Sequence, residues 1–121
     1  MRRDPKDLDA WDLLQRGWWH LYKHTKDETL RAKSLFREAI KLDPNFSMAH
    51  VALSQCLAYE IVYRWTDSPA ETRDECLQAA EKGVELDDDL ADAQVCLGLA
   101  CQIAGDFRRA IAAHERAIEL N

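Results

Sequence analysis

The feature that most constrains this chain is a pattern of small residues at helical spacing that occurs three times along its 121 residues. In each copy a first segment places an aliphatic residue three positions before a small one: Leu14 and Gly17, Val51 and Ser54, Val95 and Gly98. Near the end of a second segment in each copy, a small residue follows three positions after another residue of the repeat: Phe36 and Ala39, Ala80 and Gly83, His114 and Ala117. Because small side chains let two helix backbones approach closely, the pattern predicts three packed helix pairs.

Apolar residues recur at helical spacing between turn signals, which predicts six helices. Their expected ranges are near 8–24, 27–42, 45–63, 69–86, 89–104 and 106–120. Capping boxes beginning at Thr25 and Ser68, the latter with Pro69 at a first helical position, mark two helix starts. Asp43-Pro44 ends one helix and can start the next, and Gly105-Asp106 forms a turn followed by a cap. No segment shows the sustained two-residue alternation of a half-buried strand, so the predicted fold class is all-α.

The chain is predicted to contain one domain over residues 8–121, preceded by an N-terminal lead of residues 1–7. The repeats span about residues 8–44, 45–88 and 89–121. The distance between the two small residues is 22, 29 and 19 positions in the three copies, and we expect only the connecting loop to vary. The long second loop carries Trp65, whose indole is expected to fold back on the helices because long loops usually pack their own side chains.

The third copy contains Leu97-Gly98, the turn Gly105-Asp106-Phe107, and the small residues Ala110 and Ala117. With these motifs it resembles the tetratricopeptide repeat, which has a period of about 34 residues. The resemblance covers residues 8 to 121. It implies a right-handed α-solenoid of three helix-turn-helix pairs, truncated at its C-terminus, in which the first helices line a concave face.

A narrower resemblance involves residues 8–17, residues 36–46 and the loop Trp65-Thr66-Asp67-Ser68-Pro69. These segments are similar to repeat regions that follow the catalytic domain of bacterial class III adenylate/guanylate cyclases. Related repeats also follow winged-helix DNA-binding domains in transcriptional activators. The resemblance implies a noncatalytic interaction or self-association module of a larger bacterial signalling regulator. The alternatives are a repeat region of a winged-helix activator and a ligand-sensing domain with an apolar aromatic groove.

Two surfaces are predicted to carry function. Residues three or four positions apart along the first helix of each copy lie on one helix face, and together they predict a partner groove that is mostly aromatic and apolar: Trp11, Leu14, Trp18, Tyr22, Met48, Val51, Gln55, Tyr59, Val95 and Leu99. Packing between helices is the alternative for Leu14 and Val51. The last helix leaves an apolar face predicted for self-association, and hence for a homodimer: Ile111, Ile118 and Leu120.

Composition limits the kinds of partner. Sixteen Lys and Arg against 22 Asp and Glu give a net charge of −6, which disfavours nucleic acid because phosphates reward clustered cations. No apolar stretch is long enough to span a membrane. The four cysteines form no close pair and fit small buried hydrophobes in a reduced cytoplasm. The predicted partner is therefore a protein or peptide, in the cytoplasm.

Two patterns suggest metal binding but are weak. His20 and His24 have the four-residue spacing that can bind zinc when a third ligand arrives. The triplet Asp87-Asp88-Asp89 lacks the alternating ligand spacing of a calcium loop and is expected to cap the following helix. Neither a nucleophile elbow nor a Gly-rich phosphate loop is present. We therefore predict no catalytic residue, no metal and no cofactor in this chain.

Overall fold

The computed structural model describes residues 8–121, which form six α-helices arranged as three hairpins. The helices are α1 (Leu8–Leu21), α2 (Lys26–Leu42), α3 (Ser47–Val62), α4 (Pro69–Leu86), α5 (Ala91–Ile103) and α6 (Phe107–Leu120). The predicted all-α class and the six helices are confirmed, with boundaries that differ by a few residues. The predicted N-terminal lead, residues 1–7, lies outside the described residues.

The helices pack in a regular order that separates two faces. Within each hairpin the two helices pack together, and each second helix also packs on the first helix of the next hairpin, α2 on α3 and α4 on α5. The first helices touch one another, α1 with α3 and α3 with α5, whereas the second helices do not pack together in this part of the chain. The array therefore has a first-helix face formed by α1, α3 and α5. Its right-handed sense stays a prediction.

Close helix crossings explain the repeated small residues. Gly17 on α1 lies against the ring of Phe36 on α2, and a Cβ added there would clash with that ring. Gly98 on α5 has the same relation to His114 on α6, whose ring would lie 2.5 Å from an added Cβ. In both hairpins a glycine therefore creates the space that a large ring of the facing helix fills.

The second hairpin reverses this arrangement. Here the glycine is Gly83 on α4, and a Cβ added to it would lie 2.8 Å from Cγ2 of Val51 on α3. The small residue of α3 is Ser54, whose hydroxyl donates a 3.1 Å hydrogen bond to the carbonyl oxygen of Cys76. Complementarity of a small and a large side chain is thus kept, but the helix that supplies the glycine has changed.

The prediction that only the connecting loop varies in length is wrong. Helix α3 continues eight residues beyond Ser54, whereas α5 continues five beyond Gly98. Helix α4 begins 14 residues before Gly83, whereas α6 begins ten before Ala117. Most of the extra length of the second copy therefore extends both helices.

Each first helix ends in the same kind of turn. His24, Arg64 and Gly105 follow the three helices and have positive φ values of 54°, 59° and 85°. In the second and third hairpins the next residue donates its N–H to the carbonyl five positions earlier, at 2.8 Å. This is the hydrogen-bond pattern of a Schellman turn, which satisfies carbonyls left free at a helix end. Only the third hairpin uses the glycine that favours the left-handed conformation.

Two of the three predicted helix caps form. Thr25 Oγ1 accepts the N–H of Glu28 at 3.2 Å, and Asp106 Oδ1 accepts the N–H of Arg109 at 3.3 Å. The prediction for Ser68 is wrong in part: it precedes α4, but its side chain makes no capping hydrogen bond. Instead, its backbone N–H donates to the hydroxyl of Thr66, in the preceding loop. Proline at the start of α4 needs no such acceptor for its own nitrogen.

The glycine-to-ring contact predicts a coupled pair of substitutions. Gly98→Ser should destabilise the chain by about 1–3 kcal/mol, because the added atoms overlap the His114 ring. Adding His114→Ala gives the third hairpin the Ser and Ala that the second hairpin carries at these positions, and should recover about 1 kcal/mol or more. Urea denaturation followed by circular dichroism measures both values.

The control for this cycle is Gln102→Ser, which places serine at an exposed position of the same helix. It should change the free energy of unfolding by no more than about 0.5 kcal/mol. If the double variant were destabilised by the full sum of its single changes, the proposed contact between the two positions would be refuted.

Candidate functional site

Two of the three helices that build the first-helix face, α3 and α5, have very few charges. Helix α3 contains Glu60 as its only charged residue, and α5 contains only Asp92. In the register of the predicted groove Asp92 corresponds to Trp11 and Met48, so it is the one charged side chain among these positions. A face of this composition favours contact with apolar groups over contact with ions.

The structure divides the ten predicted groove residues into three groups. Four are exposed: Trp11, Tyr22, Val95 and Leu99. Four are half-buried: Trp18, Met48, Gln55 and Tyr59. Two are buried: Leu14 and Val51. The first two groups are accessible to a partner, whereas the third is not.

Leu14 and Val51 are therefore a correction to the predicted groove. Their exposed fractions are 0% and 1%, and both belong to the core. Val51 fills the space beside Gly83 inside its own hairpin. Val95, in the same register of the third hairpin, is 47% exposed. The alternative of packing between helices was right for the first two, since a side chain without exposed surface cannot contact a partner.

One aromatic contact fixes the beginning of the face. The ring of Trp11 stacks on that of Phe46 with centroids 6.1 Å apart and an interplanar angle of 29°. Phe46 is buried immediately before α3, so it links α1 to the second hairpin. The indole is held by this contact while part of it stays exposed, as in the rigid aromatic anchors common at interfaces.

A row of four rings borders the other end of the face. His24, Tyr59, Tyr63 and Trp65 follow one another with centroid distances of 5.4, 6.1 and 4.9 Å. Trp65 stacks on Tyr63, which confirms the prediction that the loop indole folds back. Burial raises the pKa of the Tyr59 hydroxyl, and the neighbouring Tyr63 raises it further. We call these four residues the aromatic row.

Sequence reasoning found only part of this row. Tyr63 and His24 follow the ends of α3 and α1, outside the helical phase used to choose groove residues. Their positions depend on the positive φ at His24 and Arg64, which turns the chain back over the helix ends and which helical periodicity does not indicate.

The two histidines at the end of α1 have separate partners. His20 Nδ1 lies 2.5 Å from Glu28 Oε2, and this hydrogen bond is the main cause that lowers the pKa of Glu28. The His24 ring packs on Tyr59. Within residues 8–121, no three His, Cys, Asp or Glu side chains come together in a way that could hold a metal ion.

The prediction that the aspartate triplet caps the following helix is wrong. Helix α5 has Leu90 at its N-cap and no side-chain capping bond. Asp87 instead accepts the N–H of Asp89 at 3.2 Å and closes the turn after α4. Asp43 does the same after α2, where it accepts the N–H of Asn45 at 3.2 Å. The acidic residues thus serve the turns that join successive hairpins.

All four cysteines are buried free thiols: Cys56, Cys76, Cys96 and Cys101. Burial raises the pKa of every one of them, that of Cys96 to about 12. Since the thiolate is the nucleophile and the metal ligand, these side chains are suited to packing and unsuited to chemistry.

A depression lies on the side of the second helices, and the sequence analysis did not predict it. It has a volume of about 400 Å³ and runs between α2 and α4 above α3. Its apolar lining is Ile40, Leu53 and Ala79. An ion pair of 2.5 Å between Arg37 and Glu75 bridges its walls. The depression thus has charged residues at its rim around an apolar lining.

His50 in this depression predicts a pH effect on stability. Burial lowers the pKa of its imidazole, and the Lys82 ammonium lowers it further. The hydrogen bond that Nε2 donates to the Pro44 carbonyl opposes this by raising the pKa. The unfolded chain therefore takes up this proton first as the pH falls below 6.5. The free energy of unfolding should fall between pH 7 and pH 5, and His50→Gln should reduce that fall.

The measurement is urea denaturation at each pH for the wild type and for His50→Gln. Glutamine keeps a hydrogen-bond donor but does not titrate, so a difference in slope reports the imidazole. Parallel curves for the two proteins would contradict this account of His50.

Comparison with known proteins finds no protein-family model and no curated protein that matches this chain. No helix among residues 8–121 has the length and apolar character needed to cross a membrane. The geometry therefore supports one classification: an all-α array of three helical hairpins, consistent with helical repeats.

Proposed function

We propose that this chain is a noncatalytic protein-interaction module whose first-helix face binds a peptide or helix of a partner protein. The observation that carries the proposal is the set of accessible aromatic and apolar side chains on the first-helix face. Trp11, Tyr22, Val95 and Leu99 are exposed, and Met48 and Tyr59 on α3 are half-buried. A soluble domain rarely leaves such a patch uncovered without a binding role.

The shape of the face favours an extended or helical segment as ligand. It crosses three parallel first helices and is bordered by the Trp11–Phe46 stack at one end and the aromatic row at the other. Grooves of this kind take apolar side chains of an amphipathic helix at positions one helical turn apart. Rigid rings held by their neighbours are favoured as anchors because little side-chain entropy is lost on binding.

The buried thiols support a noncatalytic role. A nucleophilic thiol needs to be accessible and to have a pKa near the working pH. The cysteines are buried with raised pKa values. Free thiols also suit a reducing cytoplasm as the compartment. The net charge of −6 favours a protein partner over nucleic acid.

The resemblance to tetratricopeptide repeats extends the proposal to the parent protein. The cyclase-like segments support a place in a larger bacterial signalling regulator, where this module would bind a partner or a second copy and control an attached output domain. The resemblance to repeats of winged-helix activators supports the same role with a different output. Hairpin arrays commonly serve as binding scaffolds for other domains.

A second candidate function is the binding of a small apolar or aromatic ligand. The aromatic row favours it, because four neighbouring rings provide a platform on which a planar molecule can stack. Such a ligand would quench tryptophan fluorescence at Trp65, and Trp65→Phe would remove that quenching.

The proposal predicts selective loss of peptide binding. Helical peptides selected from a random 16-residue library on the wild-type chain should lose at least tenfold in affinity when the receptor carries Tyr22→Lys or Leu99→Lys. Each change places a charge on the first-helix face at an exposed position. Isothermal titration of two or three selected peptides measures the affinities.

The matched control is Leu30→Lys, which places the same charge at an exposed leucine on α2, away from the first-helix face. It should leave the affinities within twofold of wild type. A library that yields no saturable binder, or binders that respond equally to all three variants, would refute the proposed site. Saturable quenching by a small aromatic probe without peptide binding would favour the second candidate.

A further inference from the structure

The depression between α2 and α4 has the size and the floor of a small-molecule site. It is formed by the first two hairpins alone, and its volume is about 400 Å³. Pockets of a few hundred Å³ with an apolar lining are typical of sites for small organic molecules. Ile40, Leu53 and Ala79 form the apolar floor, of which Leu53 and Ala79 belong to the core. A ligand in this depression would therefore contact apolar side chains below it.

The charged side chains of the lining are mostly basic. Arg37, His50 and Lys82 face Glu75, which is the acidic residue of the lining. Arg37 and Glu75 form an ion pair of 2.5 Å with each other. Lys82 pairs with Glu85, which lies outside the lining, at 3.4 Å. The charges inside the depression thus leave one cation without an acidic neighbour in the lining.

The junction between the second and third hairpins repeats this geometry with balanced charges. Arg116 on α6 lies 34 positions after Lys82, which is the offset between α4 and α6. Its guanidinium pairs with Glu119 at 3.3 Å and with Asp89 at 3.1 Å. Asp89 lies in the turn that joins the two hairpins. Two carboxylates therefore neutralise this cation, one from its own helix and one from the turn.

At the first junction the carboxylate of the turn is missing. Glu85 stands in the register of Glu119 and pairs with Lys82 in the same way. The residue in the register of Asp89, 44 positions earlier, is Asn45. An amide cannot supply the negative charge that the second junction has at this place. The first junction thus has a place for an anion beside Lys82.

A histidine adds a second basic group at the same junction. His50 Nε2 donates to the Pro44 carbonyl at 2.9 Å, and Gln94, 44 positions later, donates to the Asp88 carbonyl at 3.1 Å. The two side chains make the same contact with the turn before their helix. Because Nε2 is the donor, Nδ1 of His50 is the nitrogen that can take up a proton, which glutamine cannot do.

From this comparison we propose that the depression between α2 and α4 binds a small organic carboxylate. The carboxylate lies beside Lys82 and His50, where it replaces the charge that Asp89 supplies at the next junction. A compact aromatic or branched aliphatic body covers Ile40 and Leu53. The proposal goes beyond the proposed function, because it uses the side of the second helices. It also differs from the aromatic row in requiring a negative charge on the ligand.

Phenylacetate is the probe, and its neutral isostere phenylacetamide is the matched control ligand. Titrated into the full 121-residue chain, phenylacetate should shift the amide and His50 ring signals of the depression in nuclear magnetic resonance spectra. The shifts should saturate with a Kd on the order of 1 mM, as expected for a ligand of this size in an open site. Phenylacetamide should bind at least about fivefold more weakly, because it lacks the charge.

Asn45→Asp tests the comparison of the two junctions directly. The new carboxylate should take Lys82 as Asp89 takes Arg116, and phenylacetate should bind at least about threefold more weakly. The change is accommodated by the fold, since the second junction carries aspartate at this place. The matched control is Gln102→Glu, which adds the same charge at an exposed position on α5. It should leave the affinity within about twofold of wild type.

The affinity should also depend on the protonation of His50. The charged groups around its ring come from α2, the turn after α2, and α4: Arg37, Asp43, Glu75, Lys82 and Glu85. A bound carboxylate favours the imidazolium, so binding takes up a proton and becomes tighter as the pH falls. Phenylacetate affinity should rise about threefold between pH 7 and pH 5.5, and His50→Gln should remove this rise.

Variants at other apolar surfaces exclude binding elsewhere. On the face predicted for self-association, Ile111 and Ile118 are 60% and 75% exposed and Leu120 is half-buried. Ile118→Gln there, and Trp65→Phe in the aromatic row, should leave phenylacetate affinity within about twofold. The proposal is overturned if phenylacetate does not saturate, if phenylacetamide binds equally well, or if Asn45→Asp leaves the affinity unchanged. Failure of the first-helix face to bind peptides would not affect these results.

Discussion

The contact on which the rest of the structure depends is a large side chain seated against a glycine at the crossing of two helices. Phe36 on Gly17 and His114 on Gly98 bring the helices of the first and third hairpins close together. Val51 on Gly83 does so in the second hairpin with the helices exchanged. Because the two backbones of a hairpin lie close together, the next hairpin packs along the outer side of the pair, α3 on α2 and α5 on α4.

This order of packing produces the surface that we propose binds a partner. The first helices touch one another and together form one face of the array. The second helices are joined only by the ion pairs of Arg37 and Arg109, which leaves a shallow depression between them. At the third hairpin Ile118 and Val95, in the registers of Val84 and Val51, are exposed. Two apolar surfaces with different geometry therefore arise from one repeated contact.

The sequence alone predicted the helices, their pairing and the accessible aromatic residues of α1, because these depend on local periodicity. It did not predict where the second copy gained length, since packing of α3 against α4 decides whether extra residues join a helix. It placed Leu14 and Val51 in the groove, because a helical phase cannot distinguish a side chain facing solvent from one facing the next hairpin. It missed His24 and Tyr63 of the aromatic row, whose positions depend on chain reversal at His24 and Arg64.

The most direct test of this account is a nuclear Overhauser spectrum of the chain with assigned glycine and aromatic protons. The account predicts cross-peaks from the Hα protons of Gly17 to the Phe36 ring and of Gly98 to the His114 ring, together with one from Gly83 to the Val51 methyl groups. The glycine Hα signals should also be shifted by ring currents in the first and third hairpins alone. Absence of these cross-peaks in a folded, helical sample would contradict the crossing that the three-hairpin array requires.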